Sequence, residues 1–424
     1  MHFAIMGETF ALTDNTRMRL PLVGLAAATA VVLSACSGGS GAGGTSGTAG
    51  SGDTGATAAA APTIKISPVE GSAKVRPDKT VVVTAANGSL EEVTLESDGK
   101  QVEGKFDSTR SKWVSKGPLK PSTNYTVSAK ASGDGGPTTA TSQFTTLKPK
   151  VELAVADVTP GIKGETVGVG MPIMVTFNQP VQDKAAVEDV LEVKAEKPVP
   201  GAWRWINDRL AIYRPAKFWP AHQTVTFTAH LDGVKAGTDT YGVEDHTAKI
   251  KIGSAWVSSI NIKTHMMTVK RDGKTVQTMK ISAGNGTTRE YTTTSGIHLT
   301  MERGNPVTMI SPGKKEGDPG YYKEIVDHAV RISSSGEYVH SAPWSVGSQG
   351  RANVSHGCIN AHPTQAKWYY DNFHRGDVVK IVGTDRALEW NNGWGFWQMS
   401  FSEWKKGSAL KSQPRSDSQS DSQG

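Results

Sequence analysis

Apolar and polar positions along most of this chain change places with a period near two, the mark of half-buried strands rather than helices. Between residues 62 and 147 the apolar runs are short: Thr63–Ile66, Lys79–Ala85, Glu92–Glu96, Lys112–Val114, Asn124–Ala131 and Thr139–Thr146. Turn residues fall between them, at Asn87-Gly88, Asp98-Gly99 and Gly133–Gly136, and no stretch of helical period competes. Six or seven short strands in one such segment predict an Ig-like β-sandwich. The pattern recurs over residues 148–252, where Val225–Ala229 repeats the character of Ser142–Thr146. The second segment adds Met174–Phe177 and an aromatic group, Trp203, Trp205, Tyr213, Phe218 and Trp219. These rings suit a sandwich core and domain-interface filler, with glycan stacking as the alternative. Nothing in either segment suggests catalysis, and both read as spacer domains.

The pattern changes at Gly253. A partly alternating run, Val257–Thr268, precedes a hairpin turn at Asp272-Gly273 and a partner strand, Thr275–Ala283. Gly296–Leu299 continues the strands, and a Gly/Pro-rich stretch from Arg303 to about Tyr321 is long enough to predict a lid loop. A mainly β domain is expected over residues 253–384. Residues 385–404 hold Trp390, Trp394, Phe396, Trp397, Phe401 and Trp404. Their spacing predicts an extension packed back across domains, with glycan stacking again the alternative. Residues 405–424 are rich in Ser, Gln and Asp and are expected to be disordered.

The front of the chain reads as an address. Arg17 and Arg19 precede Leu20–Leu33, an apolar run too short for the ~20 residues that span a bilayer and typical of a secretory signal. It ends in Leu33-Ser34-Ala35-Cys36, which resembles a bacterial lipobox. That resemblance implies a signal peptide over residues 1–35 and lipidation of Cys36, with Met18 a possible start in place of Met1. The protein is then exported and held on the outer face of the cytoplasmic membrane, facing the cell wall. A plain signal cleaved nearby is the alternative. Ser37–Ala61 is Gly, Ser, Thr and Ala with one Asp, a tether expected to reach about 25–30 Å.

Composition narrows the chemistry. The chain has 424 residues, 37% of them hydrophobic and 11 of them Trp, enough for several cores. A formal charge of +6 suits an anionic envelope or ordinary solvated surface. The basic residues form no arm or Arg-Gly run, so no nucleic-acid partner is expected. There are two cysteines. With Cys36 processed, Cys358 has no partner in its own chain, and an exported protein with one internal thiol invites a catalytic reading.

That thiol lies in Ser355-His356-Gly357-Cys358-Ile359-Asn360, downstream of Tyr338-Val339-His340-Ser341-Ala342-Pro343-Trp344. A thiol attacks as thiolate and needs a base or cation nearby; His340 and His356 are both available. If residues 356–358 are extended, His356 and Cys358 point to the same side, so geometry alone leaves both open. Gly357 permits a tight turn that brings N–H donors toward a developing oxyanion, and Asn360 can orient a loop or the base.

His340, seventeen intervening residues and the six-residue string ending at Asn360 resemble the active-site motif of the L,D-transpeptidases. The likeness extends over Val339–Gly347 and the layout of lipobox, two Ig-like domains, catalytic β-domain and Trp-rich tail. It implies a cysteine-dependent acyltransferase with Cys358 as nucleophile and His340 as base. The Ser341 carbonyl would hold the base's other ring nitrogen. The Gly357 and Cys358 amides would form the oxyanion hole, with a hydroxyl from Tyr321 or Tyr322, the latter favoured. His356 and Asn360 would shape the site. Tyr322, Met309, Trp344 and Asn360 would contact substrate, and Met301 is a further candidate for the donor pocket. The partners implied are peptidoglycan stem tetrapeptides, as donor and acceptor, and carbapenem-type β-lactams as covalent inhibitors. No cofactor is implied, and no Cys/His set has zinc-ligand spacing. Competing readings are an L,D-carboxypeptidase, a catalytically inert wall-binding lipoprotein, and a papain-like protease, whose Cys-then-His order is reversed here.

Overall fold

The computed structural model describes residues 60–410 apart from Pro312. The signal segment, Cys36, the tether as far as residue 59 and the tail beyond residue 410 lie outside the described residues.

The chain is mainly β. In the first sandwich, Thr63–Ser67, Val82–Ala86, Lys112–Ser115 and Gly104–Phe106 form one sheet. The facing sheet is built on the long hairpin Asn124–Gly133/Gly136–Thr146, flanked by Ser89–Ser97. Alternation sets its core: Tyr125, Val127, Ala129 and Ala131 turn inward, and Tyr125 stacks on Phe144 at 5.4 Å. The second sandwich pairs the sheet of Val155–Thr159, Ile173–Phe177, Leu210–Pro215 and Gly201–Trp205 with that of His246–Ile252, Gln223–Ala229 and Leu191–Ala195. Trp203 packs edge-on against Phe227 at 5.6 Å in its core, and Trp219 is buried beside it. Those two rings are core, while Phe218 meets Trp397 of the C-terminal extension at 4.4 Å.

The third β-domain is built on one nine-stranded sheet. Its strands are β1 (Trp256–Asn261), β2 (Met266–Arg271), β3 (Lys274–Ser282), β4 (Gly296–Leu299), β5 (Arg303–Gly304), β8 (Ala329–Arg331), β9 (Tyr338–Ser341), β10 (Ile359–Ala361) and β11 (Val378–Val382). Between β5 and β8 lies a separate two-stranded hairpin of β6 (Val307–Ile310) and β7 (Lys323–Val326). The sheet order is β4-β11-β1-β2-β3-β10-β9-β8-β5. Helix Pro363–Asn372 buries Tyr369 against it, stacked on Phe373 at 3.9 Å.

Two local expectations are corrected. Val257–Thr268 is not one strand: Asn261 Oδ1 accepts from the Lys263 and Thr264 amides, at 3.0 and 3.4 Å, and His265 takes φ +57. That Asx turn folds the run into β1 and β2. The expected lid loop is instead a β-hairpin flap, because Val307–Ile310 pairs antiparallel with Lys323–Val326, Val307 opposite Val326 and Met309 opposite Glu324.

The C-terminal extension crosses onto the second sandwich. Phe396 and Trp404 pack on Ile212, while the Trp397 and Trp404 indoles donate to Gly170 O (2.9 Å) and Ala202 O (3.0 Å). Arg214, buried under Trp397, Phe401 and Trp404, has its guanidinium pushed down to about 10 by burial. The expected disorder does not begin at Lys405. That residue ends a helix, Phe401–Lys405, and Glu188 accepts from the Ala409 amide at 2.7 Å. A bidentate Arg375–Glu165 pair (2.6 and 2.7 Å) completes the join. A Cβ at Gly168 would strike the backbone of Asp377, so only glycine allows this approach.

Candidate active site

The site grows from the parallel pairing of β9 with β10, in register Val339↔Ile359 and His340↔Asn360. Val339 and Ile359 point into the core and are fully buried. Alternation therefore sends His340 and Asn360 to the other face, and Cys358, in the bend just before β10, lines the same cleft as both. The candidate nucleophile and the candidate base thus open onto one cleft.

The loop before β10 is pinned by hydroxyls. Ser355 Oγ donates to Cys358 O (2.6 Å) and accepts from the Gly357 amide (3.1 Å). Thr293 Oγ donates to Gly357 O (2.7 Å) and accepts from the Gly284 amide (2.9 Å). Gly357 sits at φ +133, where a side chain would be strained. Two expectations change. The Gly357 N–H, assigned to the oxyanion by resemblance, donates to Ser355 Oγ in this structure, and among the described residues the Cys358 N–H has no hydrogen-bond partner. The segment 356–358 is not extended either. His356 lines the same cleft as Cys358, stacks on Tyr322 (4.5 Å, 5°) and meets the edge of Tyr291 (4.7 Å).

His340 is buried, and its Nδ1–H donates to Ser341 O at 2.8 Å, which leaves Nε2 as the lone-pair nitrogen. Burial pushes the imidazole down to about 4, against the raising effects of the Ser341 carbonyl and Asn360. The Cys358 thiol lies 3.5 Å from Gly336 O and 3.9 Å from Met309 Sδ. Burial pushes it up to about 12, and the charges of Glu337 and Glu324 add to the rise. A preformed thiolate, the expectation from thiol chemistry, does not fit these surroundings. Burial favours the neutral form of both groups.

Tyr322, not Tyr321, reaches the cleft. Its hydroxyl is pushed up to about 12 by burial and by the Cys358 charge, so it remains a donor. The cleft is narrow, with a cavity volume of about 50 Å³, and is lined by Met309, Tyr322, Glu324, His340, Trp344 and Cys358 among others. Trp344 is 55% exposed at the rim, 6.0 Å from the His340 ring. Buried Asn360 donates to Ser345 Oγ (3.1 Å), bracing the turn that carries Trp344. Met301 does not line this cleft; it borders a second cavity, beside Arg375 and Phe373. Among the described residues no group of three or more His, Cys, Asp or Glu is placed to hold a metal.

Several residues gave no signal in the sequence. Buried Glu337 accepts from the Thr294 amide (2.7 Å) and hydroxyl (2.6 Å), with His298 at 3.7 Å. Burial would raise its carboxyl, but His298 and Thr294 hold it below the usual range. It fixes the turn whose Gly336 carbonyl faces the thiol. Tyr291 ties down the far end of the flap through Gly320 O (3.3 Å). Glu324 faces the cleft from the flap.

The sequence matches two family models, a bacterial Ig domain over residues 72–235 and an L,D-transpeptidase catalytic domain over residues 256–381. L,D-transpeptidase 2 of Mycobacterium tuberculosis is 34% identical over 404 residues, covering 94% of this chain and 98% of the relative. L,D-transpeptidase 5 of the same organism is 31% identical over 407 residues, covering 93% and 86%. A solved L,D-transpeptidase in complex with imipenem is 35% identical over 55% of this chain and 100% of its own, with a TM-score of 0.47.

Proposed function

Since the chain belongs to the L,D-transpeptidase family, we propose that it forms 3→3 peptidoglycan cross-links through a thioester on Cys358. Donor and acceptor are stem tetrapeptides, and the first step releases D-alanine. The observation that carries this reading is the meeting of Cys358 and His340 in one cleft at the β9/β10 seam, where burial favours the neutral form of both. A neutral imidazole with a free Nε2 can take the thiol proton as sulfur attacks.

The steps balance on these groups. Cys358 Sγ attacks the carbonyl of the third stem residue while its proton passes to His340 Nε2. The oxyanion is received by the Cys358 N–H and the Tyr322 hydroxyl. The C–N bond to D-alanine breaks, and His340 returns the proton to the departing amine. The amine of a second stem then attacks the thioester and gives a proton to His340. The C–S bond breaks and the sulfur regains that proton. Water in place of the amine gives hydrolysis and a tripeptide.

The same nucleophile would be acylated by carbapenem-type β-lactams. Lipidation of Cys36 would hold the enzyme at the outer face of the membrane, with the two Ig-like domains carrying the site toward the wall. Intact-protein mass spectrometry with a carbapenem and with a disaccharide-tetrapeptide tests the reading. It requires a covalent adduct and, from the tetrapeptide, cross-linked dimer; tripeptide alone would make the enzyme a carboxypeptidase.

A further inference from the structure

Among the described residues that line the cleft, Glu324 is the charged one that the flap contributes. Met309 and Glu324 are register partners across β6 and β7, and Tyr322 lies two residues before Glu324. All three therefore occupy one face of the flap. That face is the inner one, because Met309 Sδ is 3.9 Å from Cys358 Sγ and Tyr322 lines the same cleft. Directly opposed partners stand about 4.5–5.5 Å apart at Cβ, which brings the Glu324 carboxylate within a side chain's length of the thiol.

This carboxylate has no counterpart. Among the described residues no Lys, Arg or His lies within 4.0 Å of it, and no side-chain hydrogen bond engages it, whereas Glu337 beneath the loop is fully held. Its charge works against acylation, since it adds to what keeps Cys358 and Tyr322 protonated. A half-buried negative charge that opposes the first half-reaction has a use if the second brings a cation. Both stems carry a D-alanine carboxylate and a side-chain ammonium, but the donor presents its carboxyl end to Cys358, where Glu324 repels it, and the acceptor presents its ammonium, which Glu324 attracts.

We infer that Glu324 is the specificity-determining residue of the acceptor side of the cleft, where it receives the ammonium group of the incoming stem. The inference rests on the transpeptidase reading above. Glu324 binds and orients the cation. One ammonium proton leaves to solvent at the mouth of the cleft before the amine attacks, and the second passes to His340.

The test uses the full chain, wild type, Glu324→Gln and Glu324→Asp, loaded with a disaccharide-tetrapeptide donor. Two nucleophiles are offered at pH 7.5: a tetrapeptide stem, cationic at its amine, and hydroxylamine, largely uncharged. For Glu324→Gln, cross-linked dimer should fall about tenfold, as loss of a charge-assisted hydrogen bond implies. Tripeptide should rise, hydroxamate formation should not fall below the wild-type rate, since the lost charge opposed acylation, and Glu324→Asp should retain part of the dimer activity. An unchanged dimer-to-tripeptide ratio overturns the inference, as does an equal loss of dimer and hydroxamate, which would mark a structural role. If hydroxamate forms but wild type makes no dimer, acylation stands and the acceptor assignment fails. If wild type forms no acyl-enzyme at all, the transpeptidase reading fails and the inference with it.

Discussion

With the thiol near 12 and the imidazole near 4, Cys358 should be nearly inert to a reagent that needs a free thiolate, yet reactive toward an acyl donor bound beside His340. At pH 7 a thiol of pKa about 12 is thiolate in about one molecule in 10⁵, against about 3% for an ordinary cysteine. The rarer thiolate is more nucleophilic, by roughly 40-fold for a Brønsted slope of about 0.45. Alkylation by iodoacetamide should therefore run about a hundredfold slower than for free cysteine. Carbapenem acylation, assisted by His340, should be flat from about pH 5 to pH 10 and should fall tenfold per unit below about pH 4. The sign follows from Nε2, which must be unprotonated to accept the thiol proton. His340→Ala should lower acylation by about 10²–10⁴-fold and leave iodoacetamide labelling slow. The assay is mass-resolved labelling across pH on wild type and His340→Ala. Alkylation as fast as free cysteine at pH 7, or acylation that climbs through pH 6–8, would refute the neutral pair.

Tyr322→Phe should slow carbapenem acylation by about 10²–10³-fold if its hydroxyl receives the oxyanion, with thermal unfolding unchanged; equal rates would leave the Cys358 N–H as sole donor. Thr293→Val strands the Gly284 amide and the Gly357 carbonyl. At about 1–3 kcal/mol for each buried group it should lose about 2–6 kcal/mol of stability, whereas Thr293→Ser should lose little, as denaturant melts would show. Arg375→Met leaves Glu165 without its bidentate partner at the domain join. A half-buried pair of this kind implies a loss of about 1–3 kcal/mol in unfolding free energy, with the acylation rate per folded molecule retained. His340 also couples stability to pH. Its folded value lies below the ordinary histidine value, so the unfolded chain binds the extra proton and stability should fall as pH drops from about 6.5 to 4.

What could be read from the sequence was what local pattern encodes. Strands such as Asn124–Gly133 follow from period-two alternation, and the parallel β9/β10 seam is foreshadowed by apolar Val339 and Ile359 beside polar His340 and Asn360. The motif around Cys358 named the nucleophile's neighbours because that loop is compact in sequence. The flap escaped because its two short strands are separated by Ser311–Tyr322, whose Gly and Pro residues mask the pairing of Met309 with Glu324. Thr293, Glu337 and Tyr291 escaped for another reason. Each acts through a contact distant in sequence, and nothing about a lone Thr or Glu announces such a contact. The engaged Gly357 amide was equally invisible, since it depends on the rotamer of Ser355.

The central claim is that Cys358 is the acylated residue of a transpeptidase. Intact mass spectrometry of the full chain, wild type beside Cys358→Ala, incubated separately with a carbapenem and with a disaccharide-tetrapeptide, tests it most directly. The account predicts a covalent adduct on wild type alone, together with cross-linked dimer and released D-alanine. A wild type left unmodified by both compounds, or an adduct that persists in Cys358→Ala, would contradict it.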